Sequence, residues 1–261
     1  MLRAAQQIPA RSAAWLAFFA AILACWAWLY WMSWSMGLDL VGSVRPGAMM
    51  PMEMMQDMAR FWPLFLMWAV MMGAMMLPTL VPTLTSYEDL MVSADGTRPG
   101  WLGVLAGYSL VWVAVAAVIT VLQLVLVQVG LIDRMGIARS SYTSAILLIV
   151  VGLYQFTWAK QVCHGVCHAP MHYFLGHWRT GWRGGVRMGA GLGLFCAGCC
   201  WGFMALGFVG GVMSLLWMGL ATAIMVLEKL PQVAAYVTKP VGVVLVAAGI
   251  GQAAWSGGVF G

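Results

Sequence analysis

The sequence predicts an all-α protein, a polytopic transmembrane helix bundle of about seven spans with a cytoplasmic N-terminus. Three observations carry that class. Of the 261 residues, 63% are hydrophobic and only 8% charged, whereas soluble domains carry roughly 25% charged residues. The apolar residues gather into runs near the length of about 20 that crosses a hydrocarbon core. The 13 Lys and Arg residues fall singly between those runs, the pattern of topology-setting loops. No basic block exists for nucleic acid.

The elements lie in order within a single transmembrane domain, 1–261. The first span, 13–32, lies behind Arg3 and Arg11. It is longer than a signal-peptide core of about 7–15 residues and ends in Trp31-Met-Ser-Trp34, so it reads as a retained helix. The others are 61–81, 102–130, 142–160, 189–210, 212–228 and 239–256. The fourth has room to continue past Lys160 toward Pro170. Only Gly210-Gly211 and its neighbours separate the fifth and sixth, which predicts a tight hairpin or a re-entrant segment. Gly103, Gly107, Gly189, Gly191 and Gly193 suit close helix packing.

A cytoplasmic N-terminus places Arg3, Arg11, Arg98, Lys160, Arg179, Arg183, Arg187, Lys229 and Lys239 inside. It leaves Arg45, Arg60, Arg134 and Arg139 outside. That imbalance obeys the positive-inside bias, and the expected location is the inner (cytoplasmic) membrane. The lipid bilayer is then one partner, and other membrane or periplasmic subunits are further candidates.

Three features stand out from a generic bundle. All four histidines lie between His164 and His177, in a stretch that begins Lys160-Gln-Val-Cys163-His164-Gly-Val-Cys167-His168. On a helix, Cys163 and Cys167 are one turn apart, as are His164 and His168. Thiol and imidazole stacked this way suit a soft or borderline metal. The second feature is Cys196-Ala-Gly-Cys199-Cys200-Trp201, whose i, i+3 and i+4 spacing puts three thiols in one sector. Cysteine also packs as a small hydrophobe, which accounts for the lone Cys25 but poorly for three thiols in five residues. Cytoplasmic thiols stay reduced, leaving metal binding or redox work.

The third feature is methionine, 22 residues in all, six of them between Met49 and Met58. The following span holds Met71-Met72-Gly-Ala-Met75-Met76, thioethers one turn apart. Methionine is an ordinary filler of apolar helices, yet in a polar loop it has little to pack on. Thioethers take Cu(I) and take harder ions poorly, so copper is the expected metal. Zinc remains open on the Cys and His ligands alone. Glu228, beside Lys229, is a further candidate ligand; if buried it needs a basic partner, Lys229 or Lys160. No nucleotide-binding loop, H-E-x-x-H or other catalytic motif occurs, which leans away from an enzyme.

Taken together, the Met-rich run 71–78, the Lys160, Cys163, Cys167, Pro170 series, the C-x-G-C-C-W motif at 196–201 and Glu228-Lys229 resemble a bacterial family of predicted metal-binding integral membrane proteins. The resemblance covers roughly 60–255. It carries over Met71, Met72, Met75, Met76, Cys163, Cys167, Cys196, Cys199, Cys200 and Glu228 as metal-site positions. Where that family has an apolar residue and an arginine, this chain has His164 and His168. Those two imidazoles are therefore a variation on the site or outer donors to it. The expected function is Cu(I) binding and handling, with Met72, Met75 and Met76 passing the ion to the thiolates. A membrane thiol or metal-dependent oxidoreductase and a non-catalytic subunit of a larger complex are the alternatives.

Overall fold

The computed structural model describes residues 2–48 and 56–256. The chain runs through α1 (Leu2–Ser35), α2 (Phe61–Ser93), α3 (Arg98–Gln128), α4 (Ser141–Tyr154), α5 (Trp158–His168), α6 (Pro170–His177), α7 (Gly181–Ala205), α8 (Leu215–Glu228) and α9 (Ala234–Ser256). No strand occurs among the described residues. Two isolated bridges, Leu38–Val44 and Ile132–Ala138, close loops. Five of the helices (α1, α2, α3, α7 and α9) are long and apolar enough to cross a membrane.

Several helices outrun the apolar runs of the sequence. α2 continues to Ser93, well beyond the expected end at 81, because Glu88 is neutralised there. Arg11 Nε and Arg98 Nη1 reach its carboxylate at 2.9 and 2.6 Å, and Trp15 Nε1 adds a bond of 3.2 Å. Pro78 and Pro82 lie inside this helix. A proline frees the carbonyl four residues back, and the indole of Trp26 takes the one at Ala74 at 3.1 Å. α7 begins at Gly181 rather than 189, with Trp182 and Arg183 on the exposed side and Gly184, Gly185 and Gly189 buried.

The expected fourth span, 142–160, is broken. α4 stops at Tyr154, and α5 leaves from Trp158 bent by 61°. Thr157 caps the new helix, its hydroxyl accepting from the Lys160 N–H at 3.3 Å. Hydropathy is blind to this break because apolar residues continue through it. The helical path does run on past Lys160 to Pro170 and then through α6.

Two ends of the bundle are defined by contacts. The Glu88 cluster joins the start of α1, the end of α2 and the start of α3. Trp178 Nε1, just after α6, donates to the Ala94 carbonyl at that same end, 2.8 Å away. At the other end, Leu216 N–H donates to the Leu40 carbonyl and Ala138 N–H to that of Phe208, both at 2.9 Å. The link from α7 to α8 is the tight connection expected, a single helical turn at Gly207–Gly210 followed by Gly211 at φ +90°. Lys160 and Lys229 are the exceptions to the charge count: both are buried, at 1% and 6% exposure. They are not loop charges, and without them the imbalance is seven against four.

The tightest pair is α3 on α7. A Cβ built at Gly107 would strike the Val186 carbonyl, and one at Gly189 the Val104 carbonyl. Each backbone fills the notch left by the other's missing side chain, the contact that stabilises helices where lipid offers no hydrophobic drive.

Candidate metal centre

Cys196 lies fifteen residues into α7, about 22 Å along the axis at 1.5 Å per residue. The site is thus set deep in the bundle rather than at its end. α5 enters from the helix break and lays Cys167 against α7. The sulfurs of Cys167, Cys196 and Cys199 all lie within 4.8 Å of one another, and the Cys167–Cys199 separation is 3.9 Å. Bonds of about 2.3 Å, as zinc makes to thiolate, separate the sulfurs of a trigonal site by about 4 Å. The three thiols therefore fit one ion with little adjustment. Exposures of 7%, 0% and 2% keep them dry. They form the one group of three such ligands found among the described residues.

Other candidates distribute around this trio. Cys200 is buried beside it, 3.4 Å from Cys199 and 3.8 Å from Cys196, but its sulfur is not within 4.8 Å of all three. Cys163 is half-buried and packs on Gly198, where a Cβ would come within 2.8 Å of its sulfur. Being one turn before Cys167 does not bring it into the trio. Cys25 packs on Gly73 of α2, in keeping with its reading as a small hydrophobe.

The charged groups explain why the imidazoles stand apart. Glu228, the last residue of α8, pairs with Lys160 Nζ at 2.9 Å, both side chains 1% exposed. His164 Nε2 stands 3.6 Å from the same carboxylate oxygen. His168 Nε2 meets the backbone oxygen of Glu228, one of the carbonyls a helix end leaves unpaired. Of the two partners foreseen for Glu228, Lys160 is the one found. Both imidazoles serve this latch, so the sulfur trio carries no nitrogen ligand from them.

Lys229 takes the other direction. Its ammonium donates to Cys196 Sγ at 3.2 Å, to the Thr79 carbonyl at 3.2 Å and to Thr79 Oγ1 at 3.0 Å. That uses all three of its N–H groups. Tyr108 Oη stands 3.0 Å from Cys196 Sγ and 3.0 Å from Thr79 Oγ1. A buried positive charge needs polar neighbours, and Cys196 Sγ and the two Thr79 oxygens supply them. Sequence reasoning missed Tyr108 and Thr79 and gave Lys229 a different role. Two adjacent residues of opposite charge, Glu228 and Lys229, after thirteen apolar-rich helical residues were the signal for two separate buried partners.

Met71, Met72, Met75 and Met76 of α2 are all buried but do not act as one set. Met72 and Met76 line a cavity of about 150 Å³ with Tyr108 and Trp112. Met71 and Met75 line another, with Met204 of α7 and Met218 of α8. Met75 thus parts company with Met72 and Met76. The loop methionines Met49, Met50, Met52, Met54 and Met55 lie outside the described residues.

A family model described as PpoB2, copper chaperone, matches residues 65–252, close to the 60–255 over which the motifs carry the resemblance. No curated protein and no solved structure matches. The match spans well over half of the chain, which belongs to this copper chaperone family.

Proposed function

We propose that this copper chaperone family member holds Cu(I) between Cys167, Cys196 and Cys199, inside a bacterial inner membrane, and hands it on by ligand exchange. One observation carries the reading: three buried sulfurs within 4.8 Å of each other, with no carboxylate or imidazole in the group. An all-sulfur set suits soft Cu(I). The Lys229 ammonium at Cys196 offsets one thiolate charge, which a dry site requires. Zinc with a mixed Cys and His set is less well supported, since His164 and His168 are engaged by Glu228.

The ion's route is part of the proposal. With the N-terminus in the cytoplasm, α2 begins on the side from which copper arrives, and its buried methionines lie between that side and the level of Thr79 and the thiol trio. Thioethers hold Cu(I) more weakly than thiolates, so movement toward the cysteines is downhill without ATP. Thiol–disulfide exchange with a partner protein finds less support, because it needs an accessible thiolate and these thiols are at most 7% exposed.

Metal content of the full-length chain, purified anaerobically in detergent, tests the reading by mass spectrometry. Wild type is expected to carry copper, and Cys196→Ser with Cys199→Ser to lose it. Wild type free of copper, wild type loaded mainly with zinc, or a double variant that keeps its copper would each overturn the assignment.

A further inference from the structure

The second cavity on α2 has the chemistry of a metal site in its own right. Met71 and Met75 of α2, Met204 of α7 and Met218 of α8 line it together with Phe203 and Trp217. All four methionines are buried, at 5% exposure or less. The free volume is about 10 Å³, close to one water-sized sphere. Water is a poor occupant, because an internal water needs two to four polar partners. The indole N–H of Trp217 is the one polar side-chain atom among the lining residues. A soft monovalent cation needs no hydrogen bonds; it needs sulfur.

Position strengthens the case. On α2, Met71, Met75 and Thr79 succeed one another at four-residue intervals, and Thr79 holds the Lys229 ammonium that contacts Cys196. On α7, Cys196, Cys200 and Met204 repeat the same interval. Four residues advance a helix by about 6 Å with little rotation, so on both helices the thioether cavity lies one to two turns from the thiol trio. α8 contributes to both levels as well, through Met218 at the cavity and Lys229 just past its end.

We infer that Met71, Met75, Met204 and Met218 form a second site for Cu(I), stacked on the thiol trio at the side away from the Glu88 cluster. This rests on the copper reading above and deepens it by naming the four thioethers and their order relative to the thiolates. Met72 and Met76, turned toward Tyr108 and Trp112, are not part of it.

Anaerobic titration of the full-length chain in detergent with Cu(I), competed against a chromogenic Cu(I) chelator, tests the inference. Wild type is expected to bind two equivalents, the second at least about tenfold more weakly than the first. Replacing all four methionines by leucine, a swap of similar volume that cores tolerate, removes only the weaker equivalent. Cys167→Ser, Cys196→Ser and Cys199→Ser combined remove only the tighter one. If the fourfold variant does not fold, Met204→Leu and Met218→Leu are compared singly, and each weakens the second equivalent about tenfold. A single equivalent in wild type, or a weaker equivalent unchanged by the methionine variants, overturns the second site. Loss of the tighter equivalent from wild type instead overturns the thiolate reading, and the cysteine variant still reports on the thioethers.

Discussion

Two buried polar regions lie side by side at the end of α8, and they are satisfied in opposite ways. Around Glu228, opposite charges cancel: Lys160 holds the carboxylate, His164 stands near it, and His168 takes the backbone oxygen. Around Cys196, sulfur outnumbers its partners, with Lys229 and Tyr108 serving one thiol while Cys167 and Cys199 meet chiefly other sulfurs. The first region is held by charge pairing, with Glu228 Oε1 left without a hydrogen-bond partner; the second gathers three sulfurs that one ion could bridge. The contrast teaches that two of the rarest-looking residues, His164 and His168, are engaged by Glu228, while the small buried cysteines meet chiefly one another.

The largest expected effect comes from unbalancing the closed region. Glu228→Ala leaves the Lys160 ammonium buried and alone, which costs on the order of 3–5 kcal/mol, read as denaturant unfolding in detergent. Lys160→Met combined with Glu228→Met recovers most of that loss, because it removes both charges together. A single variant as stable as wild type would mean that the pair is not dry.

An intermediate effect is expected from Lys229→Met, which withdraws the charge at Cys196 while roughly keeping the volume. Cu(I) affinity falls about tenfold or more, equivalent to about 1.4 kcal/mol, in the same chelator competition. Lys229→Arg retains part of the affinity through its charge. Equal affinity in wild type and Lys229→Met would show that the ammonium does not serve the metal.

The smallest change sharpens the line between the two regions. His168→Gln removes one hydrogen bond to the end of α8 and costs about 1 kcal/mol of stability. Copper stoichiometry stays as in wild type. Lost copper in this variant would move the imidazole from the latch to the ligand set.

The fold class was legible because apolar runs near the length of a span and sparse charge leave few alternatives to a helix bundle. Element ends were less legible, since α2 gains residues through Glu88 and its arginines, partners distant in sequence. The break before Trp158 was invisible, because hydropathy reads apolar content and not backbone direction. At the site, the i, i+3 and i+4 spacing of Cys196, Cys199 and Cys200 correctly implied clustering on one helix. That Cys167 joins them and Cys163 does not depends on how α5 approaches after the 61° bend, which no local pattern encodes. The Met-rich run likewise identified the helix but not its two faces, so Met75 was grouped with Met72 and Met76. Lys160 and Lys229 were counted as loop charges because their carboxylate and sulfur partners lie across the bundle.

The glycine notches of α7 have a consequence for where sulfur can stand. Gly185, Gly189, Gly193, Cys196 and Cys200 succeed one another at intervals of four, four, three and four residues, a single seam along the helix. In its first stretch the seam touches backbone, with Gly185 against Gly100 and Gly189 against Val104. At Gly193 it meets the side chain of Val111 and the backbone of Tyr108, and from Cys196 onward it carries thiols. The same stripe is thus a clamp at one depth and a receptacle at the next. One residue inserted between Gly193 and Cys196 would leave the clamp intact and turn the receptacle about 100° away.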